Sequence, residues 1–230
     1  RALGLARSLG LYYGNPLRAG RLAHLYAPFL GPGALGFDIG AHVGNRVAAW
    51  LRLGAVVVAV EPQPACMRLL RRWYGAHPGV TLVEQAVAAE PGVLPLLISA
   101  RTPTVTTLSR SWTETIGQAP SFAGVCWETA APVTVTTLDA LIAAHGAPAF
   151  CKIDVEGFEP EVLAGLSRPL PLLSFEIVPA TIDLAAACVQ RLQALGDYVY
   201  NFSPGEALVW QWSAWVEAAD LLGWAAGLIS

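Results

Sequence analysis

Apolar and polar positions change their period repeatedly along this chain, and the changes mark out its elements. Residues 34–39, 55–60, 80–87, 149–154 and 172–178 are short, nearly unbroken apolar runs. Runs of that kind read as strands buried on both faces, the habit of parallel sheets. Between them, 46–53, 64–76, 138–145, 160–166 and 181–195 carry apolar residues at the helical spacing of three and four. Strand and helix therefore alternate, which predicts an α/β domain: a mostly parallel sheet with helices on both faces.

The two ends and one stretch of the middle depart from this rhythm. Residues 1–33 read as a helical lead-in or cap. Tyr12-Tyr13-Gly14-Asn15-Pro16 breaks it, and Gly31-Pro32-Gly33 ends it. Residues 92–137 read as a β-rich insert holding the hydroxyl-rich run 102–111. Two short strands, 197–202 and 207–210, and a final helix close the domain, which spans 34–230. No repeat or low-complexity linker interrupts it.

Chemistry enters at the first strand-to-helix turn, Phe37-Asp38-Ile39-Gly40-Ala41-His42-Val43-Gly44. Gly40 and Gly44 lack a Cβ, so the backbone there can turn sharply and approach a ligand. The second strand ends on Glu61, 21 residues after Gly40. That spacing suits an acid that holds the two hydroxyls of a ribose. An adenosine-containing cofactor is the expectation. A dinucleotide fold wants a glycine where His42 stands, to admit a pyrophosphate, so a nucleotide-dependent oxidoreductase is disfavoured. Asp38 at the strand tip instead suits the positively charged methionine end of S-adenosylmethionine.

Composition narrows the classes. The chain of 230 residues is 54% hydrophobic and 13% charged, so some apolar surface is expected to meet a substrate or a partner, a homodimer being one candidate. Net charge is −3 with no basic stripe, which speaks against nucleic acid. No apolar run is long enough for a transmembrane segment. Cys66, Cys126, Cys151 and Cys188 show no CxxC spacing and read as buried free thiols of a reducing, cytoplasmic compartment. Arg1 in place of an initiator methionine suggests a start inside a longer protein. There are 13 arginines and one lysine, Lys152, which stands beside Asp154 and Glu156.

Around that lysine runs Phe150-Cys151-Lys152-Ile153-Asp154-Val155-Glu156-Gly157-Phe158-Glu159. Ligands of open parallel sheets bind beyond the carboxyl ends of the strands. Asp38, Glu61 and Asp154 occupy such ends, and Glu176 ends the neighbouring apolar run. A two-residue period would place Lys152, Asp154 and Glu156 on one side. Buried carboxylates are costly unless paired or used. The bland alternative is a structural ion pair of Lys152 with Glu176 or Asp154.

These blocks, with Val60-Glu61-Pro62-Gln63-Pro64, Thr137-Leu138-Asp139-Ala140-Leu141 and Phe175-Glu176, resemble the FkbM family of S-adenosylmethionine-dependent methyltransferases. The likeness covers about 34–178, and its most specific part is the K-I-D-V-E-G block. It departs from the family pattern at His42, more often asparagine there, and at Arg46, where a small or hydroxyl residue is usual. The resemblance implies a class I methyltransferase fold, a Rossmann-like sheet of seven strands. It implies methylation of a hydroxyl on a sugar, glycolipid or secondary metabolite. Asp38, Gly40 and Gly44 would line the methionine end of the cofactor, and Ala41 and His42 of the same turn count among the cofactor-binding residues. Glu61, followed by Pro62, would hold the ribose, and Gln85-Ala86-Val87, at the end of the third strand, would flank the adenine. Asp154 would face the methyl group and the acceptor.

An attacking hydroxyl must lose a proton, so a general base within reach helps. Asp154 or Glu176 is expected in that role, Lys152 as the orienting cation, and Glu156 as a further candidate. Glu159 reads as an acid at a helix N-terminus. Asp154, Glu156 and Glu176 are oxygen donors of the kind a divalent cation takes, but no dedicated metal spacing is present and no metal is expected. His42 could touch the cofactor or acceptor, or only stabilise its turn. His24, His77 and His145 read as surface residues. The lead-in, the insert and the aromatic tail (Trp210, Trp212, Trp215) are expected to shape the acceptor pocket. A non-catalytic scaffold is the alternative to an enzyme, disfavoured because a scaffold has no need of the 152–159 acids.

Overall fold

In the computed structural model, residues 2–205 and 207–227 are described. The lead-in forms two helices, α1 (Ala2–Tyr13) and α2 (Pro16–Tyr26), split where Asn15 caps the second and Pro16 opens it. Then come β1 (Leu35–Ile39), α3 (Asn45–Arg52), β2 (Val56–Val60), α4 (Pro64–Tyr74), β3 (Val80–Val83), β4 (Ala86–Val87) and β5 (Gly92–Ile98). The insert adds α5 (Arg110–Ile116) before β6 (Thr129–Thr136). The second half holds α6 (Leu138–His145), β7 (Phe150–Ile153), α7 (Glu159–Ala164), β8 (Leu173–Phe175), α8 (Ile182–Leu195) and α9 (Ala218–Ala226).

Five strands make one parallel sheet in the order β3-β2-β1-β7-β8. Successive side chains point to opposite faces, and both faces are covered. Val57 and Ala59 of β2 pack with Trp50 of α3, Met67 and Leu70 of α4, and Leu22 and Tyr26 of α2. Val58 and Val60 join Phe37, Ile39, Cys151 and Ile153 against Leu138 and Leu141 of α6, Leu163 of α7 and Val189 of α8. The chain order reverses at β1, with β2 on one side and β7 on the other. That puts the crevice of the sheet beyond the tips of these strands.

Among the described residues this sheet holds five strands where seven were expected. Residues 197–202 make a single antiparallel bridge, Tyr200 to Val216, and no ladder. The Asn201 side chain satisfies the backbone there instead: Nδ2 donates to Trp212 O at 2.9 Å, and Oδ1 accepts from Phe202 N and Trp212 N. The expected third strand, 80–87, is broken in two. β3 ends at Val83, Glu84 turns outward to Arg71 at 2.6 Å, and Ala86–Val87 pair with β6 in a separate sheet of order β4-β6-β5. Gln85, Ala86 and Val87 therefore do not end the third strand. The insert is β-rich only at its edges, where β5 and β6 pair antiparallel. Its middle is helical, capped by the Ser109 hydroxyl and anchored by Trp112, 1% exposed. Cys66, Cys151 and Cys188 are buried as expected, whereas Cys126 is exposed.

Candidate active site

A cleft of about 780 Å³, counting its open mouth, lies beyond the tips of β1, β2 and β7. That is the size of a pocket for a cofactor-sized ligand. Asp38, Gly40, His42, Glu61, Pro62, Gln85, Ala86, Val87, Lys152, Asp154 and Glu156 all line it. Ala41 and Gly44 do not; they build the turn beneath. Ala41 N donates to Val60 O, and Gly44 N to Ala41 O. Glu176 does not line the cleft either, but it offers a carboxylate oxygen within 4.8 Å of those of Asp154 and Glu156.

Glycine is required at the turn by contact as well as by dihedral. Gly40 has φ 83°, and a Cβ on it would lie 1.9 Å from the carbonyl oxygen of Asp154. The turn thus sits directly on the β7 loop, welding the two acid-bearing strand tips together. His42 adopts φ 49° without being glycine. Its N–H donates to Glu61 Oε2 at 2.8 Å, and Gln63 N–H donates to Glu61 Oε1 at 2.7 Å. Those bonds fix the carboxylate and leave each oxygen a further lone pair. Burial pushes the Glu61 carboxyl up to about 7, against the pull of the two N–H groups. Burial drives the His42 imidazole down to about 4, so it stays neutral, its ring edge-on to Tyr12 at 5.8 Å between centroids.

The second acid site is electrostatic. Asp38 and Lys152 are neighbours in register across β1 and β7. Lys152, 6% exposed, places Nζ 2.7 Å from Asp154 Oδ2 and 3.9 Å from Asp38 Oδ1. Burial alone would raise Asp154, but Lys152 and Arg46 outweigh it and hold the carboxyl below its ordinary value. Asp38 goes the other way: burial raises it despite Lys152 and Arg46, and neither oxygen has a hydrogen-bond partner. A carboxylate 1% exposed and without a hydrogen bond, on the wall of a cleft, is a place for a cationic ligand group.

Past Ile153 the strand stops, so the two-residue period does not carry Lys152, Asp154 and Glu156 to one side as expected. A left-handed pair does the work instead, Glu156 at φ 59° and Gly157 at φ 80°. The Thr107 hydroxyl donates to Glu156 O at 2.6 Å, and Val155 N donates to Glu159 Oε1 at 3.0 Å. Burial, then Glu176, Asp154 and Glu159, push Glu156 well above the carboxylate range. Glu176 has an exposed outer side, yet loss of solvent on its inner side, with Asp154 and Glu159, pushes it up to about 8. Glu159 opens α7 as expected, and burial lifts it to about 7. These carboxylates crowd together without a cation for each, so they share protons near neutral pH and are not all ionised at once.

The architecture and site chemistry agree with a comparison of the sequence to protein families, in which the model described as Methyltransferase FkbM domain matches residues 38–181. The chain belongs to the FkbM methyltransferase family. No curated protein matches it. The FkbM match begins at Asp38 and runs past Glu176, so it takes in every acid of the cleft.

Some of the FkbM cleft escaped the sequence reading. Tyr12 of the lead-in and Thr104, Thr106 and Thr107 of the insert line it, as the expectation for those segments allowed without naming residues. Arg46, Asn45, Gln63 and Phe158 also line it; each lies within or beside a motif, which is the one signal the sequence carried. The tail does not contribute. Trp210 and Trp215 pack on Phe29, and Trp212 packs on Phe202 and Trp224, all away from the cleft. His24 and His77 are exposed, while His145 is half-buried with its ring against Phe37. Among the described residues no helix is long and apolar enough to cross a membrane.

Proposed function

We propose that this FkbM domain transfers a methyl group from S-adenosylmethionine to a hydroxyl of a sugar, glycolipid or secondary metabolite. The observation that carries the reading is Asp38: a buried carboxylate with no hydrogen bond, lining a cleft that Glu61, with free lone pairs, also lines. A cofactor with a cationic end and a ribose satisfies both. The residues present fit it. Asp38 with the Gly40–His42 turn would receive the methionine end, Glu61 the ribose hydroxyls, and Gln85, Ala86 and Val87 the adenine. When bound, the cofactor supplies a methyl group already activated by its sulfonium.

What remains for the chain is alignment and a proton. Alignment alone can lower a barrier by several kcal/mol, about 7–11 in the best-oriented cases. Asp154, locked on Lys152 and held ionised, suits an orienting and charge-balancing role better than that of a base. Glu156 lines the cleft and Glu176 adjoins it, and both have raised proton affinity, the property of a base that works near neutral pH. We assign the acceptor's proton to this pair. Asp154, Glu156 and Glu176 also form a set that a hard cation could use, and the reaction as proposed does not call on one.

Transfer of labelled methyl from S-adenosylmethionine into polar and lipid extracts of the source organism tests the reading. Label in a glycan or glycolipid fraction is expected. No label together with no S-adenosylmethionine binding overturns it.

A further inference from the structure

A second cavity of about 650 Å³, counting its mouth, opens on the other side of Gln63 and Pro103 from the cleft; both residues line both spaces. Its walls are mainly apolar, from Leu5 of α1, Pro64 and Ala65 at the start of α4, Ile98 of β5 and Ala131 of β6. Besides Gln63, Ser99 and Arg68 interrupt them. Ser99 is 1% exposed and its hydroxyl has no hydrogen-bond partner. Arg68 is exposed and has no ion pair or hydrogen bond among the described residues.

A buried hydroxyl without a partner carries an uncompensated loss of hydration, which a ligand atom would recover. The guanidinium matches a carboxylate in shape as well as charge. Apolar walls accept a hydrocarbon chain and offer nothing to a sugar. We propose that this second cavity binds an aliphatic carboxylate, its chain against Leu5, Ile98 and Ala131 and its acid group met by Arg68 and the Ser99 hydroxyl.

Gln63 joins the cavity to the cleft. Its backbone N–H holds Glu61 at 2.7 Å, and its side chain donates to Pro103 O at 3.0 Å. A ligand that presses on this wall changes the hold on Glu61, and linkage makes the effect reciprocal. This coupling rests on the S-adenosylmethionine reading; the cavity's own binding does not.

Calorimetric titration of the full chain with octanoate, with and without S-adenosylhomocysteine, separates the two. Saturable one-to-one binding is expected. Arg68→Gln, at an exposed position, should weaken it about tenfold, and Ala131→Leu, which fills the cavity, should abolish it. Bound octanoate should change S-adenosylhomocysteine affinity by roughly fivefold or more, the usual range of coupling. Absent or non-saturating heat, or isotherms unchanged in both variants, overturns the site. Octanoate binding with unaltered S-adenosylhomocysteine affinity overturns the coupling alone. Failure of S-adenosylhomocysteine to bind overturns the cofactor reading and leaves the octanoate isotherm to judge the cavity.

Discussion

Lys152 shows what one residue can hold together. Its ammonium is buried between Asp154 at 2.7 Å and Asp38 at 3.9 Å, and these charges keep it protonated although burial works against that. Replacing it with methionine would leave two carboxylates facing each other without that cation. Removing one member of a buried ionic group costs about 3–5 kcal/mol, and Lys152→Met should lose about that much in urea unfolding. Adding Asp154→Asn removes one of the stranded charges and should return part of the loss. If the double variant is no more stable than the single one, Lys152 is not the counter-ion described. The position stood out in the sequence because it is the only lysine among 13 arginines. Its bond to Asp154 was one of two pairings the sequence left open. Its nearness to Asp38 was hidden, because it depends on which strands pair and in what register, and those contacts cross more than a hundred residues of chain.

At the scale of elements, the loop after β7 depends on the insert. Gly157 has φ 80°, and a Cβ there would lie 2.1 Å from Trp112 Cδ1, inside the wall that α5 builds. Gly124 has the same left-handed backbone, φ 80°, with nothing within 4 Å of its notional Cβ. Gly124→Ala therefore measures the dihedral cost alone, about 1 kcal/mol. Gly157→Ala adds a clash with a large, fully buried ring and should cost about 1–3 kcal/mol more. Equal losses for the two variants in urea unfolding would show that α5 does not brace the acid loop. This dependence marks the limit of what periodicity reveals. The sequence placed the strands and helices of the parallel sheet closely, because continuous apolar runs and helical spacing report burial directly. α6 was expected at 138–145 and is found at Leu138–His145. It missed the helix inside the insert, where hydroxyl-rich residues suit strands as readily as caps. It also missed the turn at Glu156, since a left-handed glutamate has no local signature and is imposed by Thr107 and Gly157 together.

For the whole molecule, the crowd of acids makes stability depend on pH in a definite direction. Glu61 and Glu159 lie at about 7 and Glu176 at about 8 in the fold, against 4.5 ordinarily. Between the two values the folded chain keeps protons that the unfolded chain has released, so stability falls as pH rises through that interval. His42 opposes this, since its folded value of about 4 lies below 6.5 and its contribution grows with pH across that span. Asp154, held low by Lys152, loses its contribution only under stronger acid, as pH falls through its folded value. In the window from pH 6.5 to 8 Asp154 no longer changes, and the last of the histidine's gain, about 0.4 kcal/mol, is small beside the loss from the raised acids. Glu61 and Glu159 should together give up about 1.5 kcal/mol of unfolding free energy across it, and Glu176, screened by solvent on its exposed side, adds to that drop. Glu61→Gln keeps the size of the side chain and removes its proton, so it should flatten the slope. It should also weaken cofactor binding by removing one acceptor oxygen. Urea unfolding at pH 6.5, 7.2 and 8.0 reads the slope, and a flat or rising line would mean that the strand-tip acids are compensated by charges outside the arrangement described.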